Sequence, residues 1–136
     1  MGTPQQPPAS PRCITGADAS AWDGVVLWAR KGPGSASTIR VHVSDRFTDD
    51  SNQACMCTSY TNQNDTSDGC DKFGSFKVLD GTFRPYLFPF DEMQQGGWGK
   101  PSTGIDKSGL FSIGVDYGRG AWDLWVDDIG FYRRKK

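Results

Sequence analysis

Three features of this chain predict an all-β protein, an antiparallel two-sheet β-sandwich. Six short runs either alternate apolar and polar residues or concentrate β-formers. Seventeen glycines and eight prolines supply turn signals between them. Nowhere does the apolar pattern follow a helical period over a useful length. The acids agree with this: fifteen are Asp and only Glu92 is Glu. Short carboxylates suit turns and loop-built sites better than helices.

The opening residues, MGTPQQPPASPR, are rich in Pro and Gln, so 1–16 are expected to form a disordered tail or linker ahead of a domain over 17–136. DGVVLWAR (23–30) is the first strand. KGPGSAS is a turn cluster, and TIRVHVSD (38–45) then alternates cleanly. Ile39, Val41 and Val43 face inward there, and Arg40, His42 and Ser44 outward. A polar loop over 46–71 follows, long enough to suggest function or cross-linking. It holds a glycosylation sequon, Asn64-Asp65-Thr66. FGSFKVL (73–79) and FRPYLFPF (83–90) are expected to form a hairpin about Asp80-Gly81. Pro85 and Pro89 demote the second of these to an edge or a bulged strand. After the Gly-rich QQGGWGKPSTGIDKSG comes LFSIGVDY (110–117), with Ser112, Gly114 and Asp116 on one face. WDLWVDDIGFY (122–132) is the last strand, with two aspartates, Asp127 and Asp128, in an otherwise apolar run. A carboxylate buried without a partner costs several kcal/mol.

A net charge of −1 argues against nucleic-acid binding, which needs a basic face. The basic run at 133–136 reads as a solvated terminus. No stretch is long and apolar enough for membrane insertion or a signal peptide. The cysteines are Cys13, Cys55, Cys57 and Cys70. Cys55 and Cys57 are too close to bridge comfortably, which leaves 13–55 with 57–70 or 13–57 with 55–70, and Cys57 is the preferred partner of Cys70. A zinc site on these sulfurs and His42 matches no common spacing. A stapled loop fits a secreted or cell-surface location.

No nucleophile–base–orienter set stands out, no carboxylate pair is marked as a glycosidase pair, and no phosphate loop is present, so a non-catalytic role is expected. Binding of a polysaccharide or other glycan suits the outward residues better. Rings stack on sugar C–H faces, and planar polar groups hold hydroxyls. Arg40, His42, Asp116, Asp123 and Trp125 are the candidates, with Tyr117 and Trp98 bordering them. Trp22, Trp28 and Trp122 are expected in the core. If the strands of Arg40 and Trp125 share a sheet, these residues converge on one surface. A structural or accessory sandwich without sugar affinity, acting as a spacer or protein-docking surface, is the alternative.

Four pieces, DASAWDGVVLWAR, CDKFG, PFDEMQQGGWGKP and FSIGVDYGRGAWDLWVDDIGFY, together resemble the galactose-binding-like β-jelly rolls, and among them carbohydrate-binding modules of the family-eleven kind. The resemblance covers about residues 18–132. It implies a two-sheet jelly roll without catalysis, belonging to an exported bacterial protein and to a larger multidomain chain. It also implies a structural calcium, with Asp127 as a ligand and Asp128 beside it. Asp127 on the outer face, with Asp128 capping a turn or paired with an arginine, is the simpler reading of the same pair. Relatives carry strands ahead of DASAWDG that the present sequence is expected to lack.

Overall fold

The computed structural model describes residues 16–49, 57, 67 and 69–135. Seven strands form: β1 (Gly24–Lys31), β2 (Thr38–Asp45), β3 (Phe73–Val78), β4 (Arg84–Pro89), β5 (Gln94–Gln95), β6 (Leu110–Tyr117) and β7 (Leu124–Tyr132). A short 3-10 turn, Phe90–Glu92, follows β4. The strands build two antiparallel sheets, a β-sandwich, in the orders β4-β1-β7 and β5-β3-β2-β6. Six of the seven match the expected runs closely. The two-residue β5 is too short to leave a period in the sequence.

The described residues fall into two compact units. The first draws on the described residues within 16–19, 43–73 and 94–113, the second on those within 20–42, 74–93 and 114–135. Strands β1, β4 and β7 lie wholly in the second. The predicted tail, Cys13, Cys55 and the sequon at 64–66 lie outside the described residues.

In the second unit β1 is the central strand. Its register puts Trp28 opposite Pro85 of β4 and Asp127 of β7. Val25, Leu27 and Ala29 are fully buried, as are Phe88 of β4 and Ile39 and Val41 of β2. Strand alternation places these on inner faces, where they form the core. Burying each large apolar side chain contributes about 1.5–3 kcal/mol.

β3 and β4 do not form the expected hairpin, since they belong to different sheets. Asp80 is a corner between them. Its carboxylate accepts the Thr82 amide at 3.0 Å, the local turn that the Asp-Gly pair predicts. Its carbonyl, however, accepts the Lys31 amide at 2.9 Å, and the Leu79 amide goes to Ser37 at 2.7 Å. These bonds lead the chain across to β1 rather than back along β3. β4 is an edge strand, as its prolines require.

Arg133, Arg134 and Lys135 are exposed, as a solvated terminus requires, and the two arginines are also tied to the fold. Arg133 Nε donates to the Ala21 carbonyl at 2.9 Å, and its guanidinium lies 4.6 Å from the Trp22 ring centre. Arg134 forks onto Asp91 at 3.3 and 3.4 Å. Asp91 raises the pKa of this guanidinium above its ordinary value. Burial, opposed by Arg134, pushes the neighbouring Tyr132 phenol upward.

In the first unit buried polar groups organise the turns. Asp45 is fully buried. Its carboxylate accepts the Phe47 amide at 3.0 Å, the Thr48 hydroxyl at 2.9 Å and the Asp106 amide at 2.8 Å. Ser44 was expected outward, yet it is fully buried. Its hydroxyl donates to Asp49 at 2.9 Å and meets Ser112 Oγ at 2.5 Å, so its hydrogen-bonding capacity is satisfied without water.

Leu27 is the largest fully buried aliphatic side chain of the central strand. Leu27→Ala is expected to cost about 2–5 kcal/mol of stability, read from the midpoint of urea unfolding. A loss below about 1 kcal/mol would mean that the core closes over the missing atoms.

Candidate functional site

The outer face of the four-stranded sheet brings three of the predicted residues together. Because a carboxylate oxygen only accepts, His42 Nδ1 donates to Asp116 Oδ2, at 2.8 Å. Arg40 Nη1 donates to the same oxygen at 3.3 Å. Two glycines make room for these side chains. A Cβ at Gly74 would lie 2.7 Å from the Arg40 guanidinium, and one at Gly114 would collide with the His42 imidazole. His42 is thus half-buried and hydrogen-bonded, not the freely exposed histidine its strand position predicts.

Trp125 and Asp123 do not join this cluster. β7 pairs with β1 in the other sheet, so the expected convergence of Arg40, His42 and Trp125 on one surface does not occur. Trp125 sits instead on the outer face of the three-stranded sheet, and β1 carries the centre of that face. Val26, Trp28 and Arg30 alternate with the buried Val25, Leu27 and Ala29. The register crosses Leu87, Val26 and Gly130 in one row, then Pro85, Trp28 and Asp127. Arg30 lies opposite Trp125 in the next row, and Phe83, two residues before Pro85, continues β4 on the same side. Trp28 and Phe83 form one stack, with ring centres 5.6 Å apart. Arg30 and Trp125 form another, with the guanidinium 4.8 Å from the ring centre. Trp28 and Trp125 are diagonal neighbours on paired strands, a Cα separation of about 7–8 Å.

The Trp125 ring is held from a second direction. Its Nε1 donates to Asp123 Oδ1 at 3.0 Å, while the Asp123 amide donates to the Ser35 hydroxyl at 3.0 Å. Trp28, Phe83, Leu87 and Trp125 are 37, 42, 46 and 54 % exposed. Four large apolar side chains on one open sheet face form the kind of patch that marks binding surfaces.

No family model, curated protein or solved structure matches this chain. What the site can do therefore rests on its own chemistry.

Tyr117 ends β6, is exposed, and meets Trp122 edge-on at 5.7 Å. Trp122 is half-buried rather than core, and its Nε1 donates to the Gly118 carbonyl at 2.7 Å. Trp22 is half-buried as well, and Trp28 is exposed, so none of these three tryptophans is the fully buried core residue expected. Trp28 went unrecognised because its aromatic run reads as core. The alternation that places Leu27 inside nevertheless places Trp28 and Arg30 outside. Phe83 and Leu87 could be found by the same rule, once Pro85 marks the outward side of β4.

Trp98 belongs to the first unit, and the reason for its loop is Asp71. This carboxylate is 2 % exposed. Four successive amides turn toward it: Gly96 at 2.8 Å, Gly97 at 2.7 Å, Trp98 at 3.0 Å and Gly99 at 3.3 Å. Such a backbone nest is an anion site, filled here by the protein's own side chain. Gly97 adopts φ 92°, a conformation that a side chain would strain. The Gln95 side chain adds bonds to the Asp71 and Lys100 carbonyls and to the Ser102 amide. Beside Asp71, Cys70 is bonded to Cys57, its preferred partner.

Asp127 and Asp128 form a β-bulge. The pairing with β1 slips between Val26 and Trp28, Asp128 takes φ 51°, and Asp127 Oδ1 accepts the Asp128 amide at 2.8 Å. Aspartate tolerates the left-handed region better than most residues. Both side chains are exposed, so no buried charge needs offsetting. Among the described residues no group of three or more His, Cys, Asp or Glu could hold a metal. Two exposed carboxylates alone do not meet calcium's need for six to eight oxygens.

Asp71→Asn replaces an acceptor with a group that turns N–H donors toward N–H donors. The expected loss is about 2–3 kcal/mol in urea unfolding, on the scale of a broken charge-assisted hydrogen bond. Unchanged stability would show that the nest does not support the first unit.

Proposed function

We propose that this chain is a non-catalytic carbohydrate-binding domain of an exported protein, and that it holds a polysaccharide on the outer face of the three-stranded sheet. The carrying observation is the set of exposed rings, Trp28, Phe83 and Trp125, on one open face. A ring there stacks on the C–H face of a pyranose, and the flanking Arg30, Asp123 and Asp127 offer planar groups to hydroxyls. Trp125 is held by Asp123 and Arg30, so little side-chain freedom is lost when a ligand lands on it. Arg40, His42 and Asp116 satisfy one another on a different sheet and lie outside this platform. The disulfide is compatible with an oxidising compartment, which supports export.

An accessory role, docking a larger partner protein, is the second reading. Phe76 and Val78 of β3 favour it. They are 66 and 68 % exposed, and sugar stacking on the other sheet has no use for them.

Calcium stays within the proposal only through the family resemblance, with Asp127 and Asp128 as two of the ligands. If it binds, millimolar calcium raises the melting temperature by mass action and Asp127→Ala removes the increment. A melting curve indifferent to calcium and to chelator would remove the ion.

Affinity electrophoresis through soluble β-glucan, xylan, mannan and polyuronate gels tests the platform. The native domain should be retarded in at least one gel. Trp125→Ala should migrate freely in that gel with its fold intact by circular dichroism, since a stacked ring contributes about 1–3 kcal/mol. Free migration of the native domain in every gel would favour the docking reading.

A further inference from the structure

Resting on the platform reading, the surroundings of Arg30 deepen it to a ligand class. Arg40 is bonded to Asp116, Arg46 to Asp106, Arg84 to Asp80 and Arg134 to Asp91. Arg30, Arg119 and Arg133 have no carboxylate partner among the described residues, and of these Arg30 is the one stacked on a ring of the platform. It lies half-buried at the centre of the aromatic face, with its guanidinium stacked on Trp125. Two carboxylates flank it on that face, and neither is bonded to Arg30. Asp123 accepts the Trp125 indole N–H, and Asp127 accepts the Asp128 amide.

A guanidinium laid on a ring keeps its in-plane N–H donors free, and their fork matches a carboxylate bidentately. We infer that the platform selects acidic polysaccharide, with the C–H face of a uronic acid on the rings and its carboxylate on Arg30. A neutral sugar would offer Arg30 only hydroxyls. Those compete poorly with the water a guanidinium must lose, whereas a charged acceptor makes a bond roughly twice as strong. Arg30 is then the specificity-determining residue of the face, and Trp28, Phe83 and Trp125 supply sequence-independent stacking. The chain's net charge of −1 gives no general attraction for a polyanion, so any preference for acid must come from a local contact.

The test uses one polymer in two forms, polygalacturonate and the same polymer with its carboxyls reduced to alcohols. The full chain is run through gels of each, alongside the neutral gels above. The native protein should be held about tenfold more strongly by the acidic form, the scale of one charge-assisted contact. Arg30→Gln should bind both forms alike and keep its circular dichroism, and Arg30→Lys should recover only part of the preference. Added salt should narrow the difference for the native chain. Equal retardation of the native chain by both forms would overturn the acidic specificity and leave the platform standing. So would a preference that survives in Arg30→Gln. Free migration in every gel would instead remove the platform, and the inference with it.

Discussion

β1 is paired on both sides, and that constraint assigns each of its side chains to one of two environments. Val25, Leu27 and Ala29 go to the core, and Val26, Trp28 and Arg30 to solvent. A central strand cannot rotate without breaking two ladders at once, so the outer face is held as firmly as the inner one. Trp125 and Phe83 gain their positions from registers measured against this strand. The candidate surface is in that sense a by-product of burying Leu27.

Aspartate does a second kind of structural work. Asp45 and Asp71 are buried carboxylates whose acceptor positions are filled mostly by main-chain amides, with a single hydroxyl added at Asp45. The short side chain keeps the charge close to its own backbone, where loop amides can reach it. A glutamate would carry the charge one methylene further and demand a different loop. This accounts for aspartate rather than glutamate at both positions.

Six strands and the edge position of β4 were legible from local pattern because alternation and proline act within a few residues. Sheet membership was not. Asp80-Gly81 announces a turn, but whether the chain returns beside β3 or crosses to β1 depends on where Lys31 and Ser37 wait. The pairing of β7 with β1, which separates Trp125 from Arg40 and His42, depends equally on contacts far away in sequence. Ser44 escaped for another reason. A serine at an outward register reads as solvated until its partners, Asp49 and Ser112, are known. For Asp127 and Asp128 the simpler of the two readings, exposure of Asp127, agrees with the structure, and the bulge adds what alternation alone does not contain.

Both margins of the three-stranded sheet are modified, each by different means. Along β4 the Phe90 amide bonds to Asp23, so even-numbered amides face β1 and odd-numbered ones face away. Pro85 and Pro89 occupy odd positions, which removes two donors from the open side. Along β7 the bulge bends the strand where two carboxylates project. Exposed strand edges pair between molecules when copies of a chain are crowded together. A margin poor in donors and another bent and charged oppose such pairing, so neither edge is a ready template for a second copy.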